Sequence, residues 1–241
     1  MIARLLVVPS VAVWWVVAAT LAAAACRPAP GADLSGCDFA KAKLESLDLR
    51  GVRLDGADLS EANLKWANLT GASLKRAKLG GADLFHTIFD RADLDGADLS
   101  GTYLFGANLI GTSAVGANFR GAYLKDVLME RADLSRAVLE GVYMLRGVVS
   151  GGKLVEAKLA GAVMVGADAE DADFSGADLK RVVLTGATLH GARLDGADLD
   201  GADLSNAVGA DWSRAVRPPL TEADTLERGL NRILLDPERT R

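Results

Sequence analysis

The amino-acid sequence predicts a solenoid, in which the chain turns a corner once every five residues and coils around a filled core. The stretch 191–205 reads GARLDGADLDGADLS, with leucine at positions 194, 199 and 204. The same five-residue unit, called a word below, recurs without a change of spacing from the unit centred on Leu34 to the unit centred on Leu204, which gives 35 consecutive words. An α-helix scatters every fifth residue around its circumference, at about 100° per residue, and a flat strand sends every fifth residue to alternate faces. A repeated turn in one sense points all of these leucines at one axis.

The composition of the word predicts a core of alternating large and small layers. The central position holds Leu in 25 words, Phe in four and Met in three, and the position two residues earlier holds Ala in 24. The word resembles that of the pentapeptide repeat family, A(D/N)LXX, as in ADLS at 57–60 and ANLT at 67–70. The resemblance implies an all-β fold, a right-handed four-sided β-helix with four words in each coil. Residues 31–205 then form about eight to nine coils, a rod roughly 42 Å long at strand spacing.

Two other positions of the word are expected to act at the corners. Asp or Asn directly before the central residue is expected to accept a hydrogen bond from a nearby backbone N–H and so to hold the corner. Glycine at the last position supplies the backbone freedom that a tight turn needs. The open ends of such a repeat array are expected to need protection.

Residues 1–25 have the composition of an export signal. Arg4 is followed by 21 uncharged residues, and a charged start, an apolar middle and small residues at the end are typical of a signal peptide. Cys26 follows three alanines and resembles the lipidated cysteine of a bacterial lipoprotein. Three outcomes stay open: a lipid on Cys26, a cleaved and secreted protein, or an uncleaved anchor in the membrane. Each of them places the solenoid outside the cytoplasm.

The chain has two cysteines, Cys26 and Cys37. Residues 26–30 are interpreted as a short tether between the signal and the repeat. Cys37 falls on the inward small position of the second word and is interpreted as a substitute for alanine. A disulfide between the two cysteines is permitted in an oxidising compartment, unless Cys26 carries a lipid on its sulfur.

The residues after the repeat predict a cap and one helix. Residues 206–220 are interpreted as the cap and linker, with Trp212 folded over the last coil. Residues 221–235 predict an amphipathic helix, about 22 Å long, and residues 236–241 follow as a tail. Outward side chains at 20-residue intervals from Val183 back to Tyr103 are expected to form a ladder about 19 Å long. Because the two lengths are similar, the helix is expected to fold back along this ladder. The contacts expected are of Leu226, Leu230 and Ile233 with Val183, Val163 and Tyr143.

Charge and composition exclude several classes of function. The formal net charge is −5 with acidic and basic residues interspersed, which disfavours a nucleic-acid partner. A convex rod with an aliphatic interior offers no concave site in which catalytic groups converge. His86 and His190, the two histidines, are expected to lie about five coils apart on the surface, too far to share a metal ion. We therefore expect no enzyme activity, cofactor, metal site or small-molecule substrate.

The outward positions of the predicted coil sort into sides of different character. One side carries all three tyrosines, the adjoining side carries a second apolar row, and the other two sides are mainly charged or polar. Stacked tyrosines stabilise a β-helix by themselves, yet monomers rarely expose an apolar patch that extends over five coils. The candidate interaction residues are Tyr103, Tyr123, Tyr143, Val163 and Val183, with Phe85, Phe105, Leu145 and Val165 beside them, and Ile88, Ile110, Leu128 and Val148 on the adjoining side.

Two functions are compatible with these features. The first is a non-catalytic scaffold of the bacterial cell envelope, which binds a protein partner or a second copy of itself through the apolar side. The second follows from the resemblance, because acidic members of the pentapeptide repeat family mimic DNA and bind topoisomerases such as gyrase. The predicted export signal and the mixed charge favour the first function.

Overall fold

The computed structural model describes residues 26–219, which wind into a four-sided coil. Each word contributes one residue that pairs in parallel with the residue 20 positions later, from Asp33 with Arg53 to Thr188 with Val208. Successive pairing residues are five positions apart, so each coil contains four words, as predicted. Over 26–219 the chain forms no helix, and hence none long and apolar enough to cross a bilayer, and its strands are single pairing residues.

The interior of the coil is filled by the central residues and by the small residues two positions before them. The central leucines from Leu49 to Leu199 are at most 2% exposed, and Leu204 in the last coil is 8% exposed. Burial of one such side chain stabilises the fold by about 1.5–3 kcal/mol. The predicted core of large and small layers is therefore confirmed.

Three threonines take the small inward position without leaving a hydroxyl unpaired. The hydroxyl of Thr87 donates to the carbonyl of Leu64 at 2.8 Å, and that of Thr112 donates to the carbonyl of Phe89 at 2.8 Å. Thr102 donates in the same way to a carbonyl of its own corner. A buried hydroxyl without a partner would cost about 1–3 kcal/mol, so these bonds allow threonine to replace alanine.

The corners are held as the sequence predicts. Oδ1 of Asp58 accepts the backbone N–H of Ser60 at 3.0 Å, Oδ1 of Asn68 accepts that of Thr70 at 3.0 Å, and the same bond recurs along the chain. The residue that ends each word has a positive φ of about 50–80° (for example Gly36 at 68°), a conformation that glycine adopts without strain. Within residues 26–219, fifteen non-glycine residues also hold it, including Trp66 and His86. The regular winding therefore imposes this conformation on side chains that disfavour it.

A disulfide closes the N-terminal end of the coil. Cys26 and Cys37 are bonded, with their Cα atoms 5.9 Å apart, and both lie against the core. Cys37 does occupy the inward small position, but the interpretation of it as a simple alanine substitute is wrong, because its sulfur is bonded. A lipid on Cys26 and this disulfide exclude one another, since both need the same sulfur atom. The predicted signal segment, residues 1–25, lies outside the described residues.

The coil continues beyond the last regular word. Arg217 pairs with Asp198, and the N–H of Val216 donates to the carbonyl of Ala197 at 2.8 Å, so this turn contains 19 rather than 20 residues. Trp212 is 42% exposed, and backbone pairing rather than its ring extends the end of the coil. Along the chain, the side that carries the tyrosines comes directly after the side that carries Arg217. The predicted helix 221–235 and tail 236–241 lie outside the described residues.

Candidate interaction surface

The side that carries the tyrosines forms one continuous ladder. Parallel pairing joins Tyr103 to Tyr123, Tyr123 to Tyr143, Tyr143 to Val163 and Val163 to Val183. Neighbouring tyrosine rings stack with centroids 5.1 and 5.2 Å apart, so their edges and hydroxyl groups face solvent. Tyr103 and Tyr143 are 41% and 39% exposed. Apolar residues that directly follow the inward central residues on this side lie beside the ladder. We call the ladder and these neighbours together the tyrosine side: Tyr103, Tyr123, Tyr143, Val163, Val183, Phe85, Phe105, Leu145 and Val165.

An aromatic cluster lies at the N-terminal end of the tyrosine side. The rings of Trp66 and His86 stack at 4.4 Å, and Phe85 meets the edge of Trp66 at 5.3 Å. Phe85 also stacks on Phe105 at 5.5 Å, and the ammonium group of Lys125 lies 5.6 Å from the centre of the Phe105 ring. Trp66 is 55% exposed and extends the apolar surface, although it is not among the residues that the sequence pattern predicts for this surface. Its position 20 residues before His86 is the signal that would have placed the two rings together.

The adjoining side carries the second predicted row. Leu128 pairs in parallel with Val148, while Asn108 separates Leu128 from Ile88. Ile110 follows at the next corner. Leu128 is 36% exposed and the three other apolar residues are half-buried. We call this row the isoleucine side: Ile88, Ile110, Leu128 and Val148. All the predicted interaction residues thus lie on two neighbouring sides, whereas Cys26 lies apart from them at the N-terminal end.

Ion pairs border the tyrosine side at both of its corners. At the corner shared with the isoleucine side, Arg146 donates two hydrogen bonds to Asp126, each of 2.8 Å. These bonds lower the pKa of Asp126 and raise the pKa of Arg146 from their ordinary values. At the opposite corner Arg120 pairs with Glu140. Such exposed pairs add little stability, but they surround the apolar residues with a polar rim, which is the usual anatomy of a protein interface.

The two remaining sides carry opposite charges that pair along the rod. Lys153 lies 3.5 Å from Asp133 and Arg193 lies 3.1 Å from Asp173, each pair joining neighbouring coils of one side. On the other side Lys180 bridges two aspartates of adjacent coils. The acidic residues of these sides are therefore interrupted and partly neutralised by cations. They do not form the unbroken row of carboxylates that would imitate a nucleic-acid backbone.

The described residues hold no cluster of the kind that binds a metal ion, which needs three or more His, Cys, Asp or Glu side chains together. His86 lies at the surface, as predicted, and is half-buried in its stack with Trp66. His190 is exposed and lies five coil steps along the rod. The surface therefore offers apolar contacts, ring edges and a polar rim, which suit binding.

Comparison with known families gives one clear match. The profile of the family described as pentapeptide repeats matches in eight copies, over residues 32–71, 62–101, 102–141, 153–191 and 170–206. These ranges cover most of the regular coil. A comparison with curated protein sequences gives no significant match.

Solved structures of pentapeptide repeat proteins also match. HetL, which is involved in heterocyst differentiation regulation in the cyanobacterium Nostoc sp., is 32% identical, with 80% of this chain and 97% of HetL covered and a TM-score of 0.43. Full-length QnrB1, a plasmid-mediated fluoroquinolone resistance protein, is 21% identical, with 82% of this chain and 96% of QnrB1 covered and a TM-score of 0.68. The similarity to QnrB1 is one of fold.

Proposed function

Because the chain belongs to the pentapeptide repeat family, whose fold is a right-handed four-sided β-helix, we propose that it is a non-catalytic scaffold that binds a protein partner through the tyrosine side. The observation that carries this proposal is the continuous apolar ladder with a polar rim at both corners. Stacking along the ladder stabilises the coil, but it leaves Tyr103 and Tyr143 about two-fifths exposed. A partner would remove this surface from water, which stabilises the complex at about 25 cal/mol for each Å² of apolar area.

A photo-crosslinking amino acid at position 143 tests the proposal in cells that make the full chain. The matched control carries the same group at Val138, which is also an outward apolar residue but lies on a charged side, paired with Lys158. We expect a discrete crosslinked product from position 143 and none from position 138. Equal products from both positions, or none from either, would contradict binding through the tyrosine side.

We propose that the scaffold lies in the cell envelope. Two features support this location: the export-signal composition of residues 1–25 and the disulfide between Cys26 and Cys37, since disulfides persist in oxidising compartments. The disulfide closes a loop of 11 residues, for which the loss of chain entropy in the unfolded state gives about 3 kcal/mol of stabilisation.

Paired variants separate the two roles considered for Cys26. If the disulfide forms, Cys26→Ser and Cys37→Ala lower the stability of the first coil equally, and the parent carries no fatty-acid label. If Cys26 is lipidated, the parent takes up a fatty-acid analogue, and Cys26→Ser alone releases the protein from the membrane fraction or blocks its processing. Cell fractionation that finds every form soluble in the cytoplasm would contradict the envelope location.

A second candidate function is the DNA mimicry suggested by the family. The fold similarity to a fluoroquinolone resistance protein favours it, whereas the paired charges along both charged sides disfavour it. A supercoiling assay with purified gyrase distinguishes the two functions. Inhibition of gyrase by the full chain at stoichiometric concentration would favour mimicry over the envelope scaffold.

A further inference from the structure

A shallow groove runs along the corner that follows the isoleucine side. It consists of two parts, of 190 Å³ and 390 Å³, which meet at Ile110. The groove is lined by residues at 20-residue intervals from Thr70 to Glu170, each of which directly follows an inward central residue of the isoleucine side. Five coil steps separate these two residues, so the groove is roughly 24 Å long at strand spacing. The lining residues of this column are, in order, Thr70, Asp90, Ile110, Glu130, Ser150 and Glu170.

Three side-chain oxygens in this groove have no hydrogen-bond partner within the described part of the protein. They are Oδ1 of Asp90, Oε2 of Glu130 and Oγ of Ser150, and they are the only such buried atoms among residues 26–219. Leaving a buried hydrogen-bonding group without a partner destabilises a protein, and more so when the group is charged. All three fall in one column and none on the other corners, so the polar side chains that lack a partner within the protein are concentrated at this corner.

The charges of the groove are also unpaired. Four carboxylates and two guanidinium groups line it, which gives a net negative charge. In the part of the chain that the structure describes, none of the six forms an ion pair, in contrast to the paired charges of the two charged sides. The exposed apolar side chain of Leu128 lies directly beside this column. The corner therefore combines an apolar strip with carboxylates that form no ion pair within the described chain. The six charged residues are Asp90, Arg91, Glu130, Arg131, Glu170 and Asp171.

We propose that this groove binds a cationic amphipathic helix of the protein partner. Its apolar residues pack on Ile110 and Leu128, and its lysine or arginine side chains meet Glu130 and Glu170. The spacing supports a helix, because these two carboxylates are two coil steps or about 10 Å apart, and cations seven residues apart in a helix are separated by about 10.5 Å. A helix of about 16 residues spans the whole groove. This inference rests on the proposed scaffold function and names the chemistry of its partner.

A synthetic 16-residue peptide with leucines on one helical face and lysines seven residues apart serves as the probe. Its binding to the full chain is measured by fluorescence anisotropy, next to a peptide with glutamate in place of lysine and another with serine in place of leucine. We expect the first peptide to bind most tightly and its affinity to fall as salt increases. Equal binding of the lysine and glutamate peptides would overturn the proposal.

Variants locate the binding on the protein. Glu130→Gln combined with Glu170→Gln should weaken the lysine peptide about tenfold for each carboxylate removed, and Leu128→Asn should also weaken it. The matched control, Glu61→Gln with Glu156→Gln, removes the same charge from other corners and should leave the affinity unchanged. Equal losses in both double variants would show nonspecific attraction and overturn the site.

Two further outcomes separate this inference from the proposed function. If the lysine peptide does not bind but position 143 still crosslinks to a partner, the groove assignment fails and the scaffold function stands. If the full chain sediments as a dimer that Leu128→Asn dissociates, a second copy occupies the groove and the cationic helix is excluded.

Discussion

Replacing Leu124 with aspartate tests the inward assignment of the central residues at its most sensitive point. Leu124 is 0% exposed in a middle coil, and Leu104 and Met144 hold the same position one coil step before and after it. Removing a buried leucine side chain costs about 2–5 kcal/mol, because the surrounding side chains fill the space only in part. The introduced carboxyl group adds a second cost that depends on pH.

Burial raises the pKa of the introduced carboxyl group by about three to five units, since the interior disfavours its charged form. At pH 7 it is therefore neutral in the folded state and ionised in the unfolded state. The three pH units between the ordinary aspartate pKa and pH 7 correspond to about 4 kcal/mol. With the lost leucine contacts, the cost at pH 7 is about 6–9 kcal/mol, a large part of the 5–15 kcal/mol that stabilises an ordinary domain.

Urea unfolding followed by circular dichroism measures this cost for the parent and for Leu124→Asp at pH 7 and pH 4. A raised folded-state pKa makes the ionisation penalty grow as pH rises above about 4, so the variant should regain roughly 4 kcal/mol relative to the parent at pH 4. Val138→Asp, which places the same side chain outward beside Lys158, should cost less than about 1 kcal/mol. A Leu124→Asp variant that unfolds with the parent at pH 7 would refute the inward assignment.

Two other predictions concern the tyrosine side and its surroundings. A Cβ atom at Gly106 would lie 2.5 Å from Cε1 of His86, whereas at Gly101, with the same φ of 62°, it would meet nothing within 4 Å. In both alanine variants the free energy of unfolding should fall by about 1–2 kcal/mol, because alanine disfavours the left-handed backbone conformation. Only Gly106→Ala should also displace His86 and change the fluorescence of Trp66. Identical spectra of the two variants would show that the stack is unaffected. Deletion of residues 220–241 should raise the binding of a hydrophobic dye, since the described chain ends where the winding leads onto the tyrosine side. Unchanged dye binding and an unchanged monomer mass would show that this segment does not cover the tyrosine side.

The register of the coil is the feature that the sequence predicts most completely. A corner every five residues leaves one inward direction for each word, so the burial of every central residue from Leu34 to Leu204 follows from the spacing alone. The same spacing, taken over four words, places Tyr103, Tyr123 and Tyr143 in one ladder. No long-range choice of partner is involved, because each coil pairs with its neighbours in sequence.

Features that depend on two particular side chains meeting were predicted less well. The stack of Trp66 on His86 depends on rotamers, and on Gly106 leaving room for the imidazole ring. The bond from Cys37 to Cys26 depends on the path of the chain before the first word, where no repeat fixes it. The unpartnered oxygens of the groove are visible only when neighbouring coils are in place. The residue missing from the last turn before Arg217 likewise has no signature in the word pattern.

The pairing of one residue in each word with the residue 20 positions later restricts how this protein can change in length during evolution. Insertion or loss of a single word keeps the core intact, because every leucine still points inward. It nevertheless moves all later residues to the next side, so a change between Tyr103 and Tyr123 would separate these two residues and divide the ladder between two directions. A duplication of four words adds one coil and leaves every side in line. The core therefore tolerates changes of five residues, whereas a recognition surface that spans several coils is inherited intact only in multiples of 20.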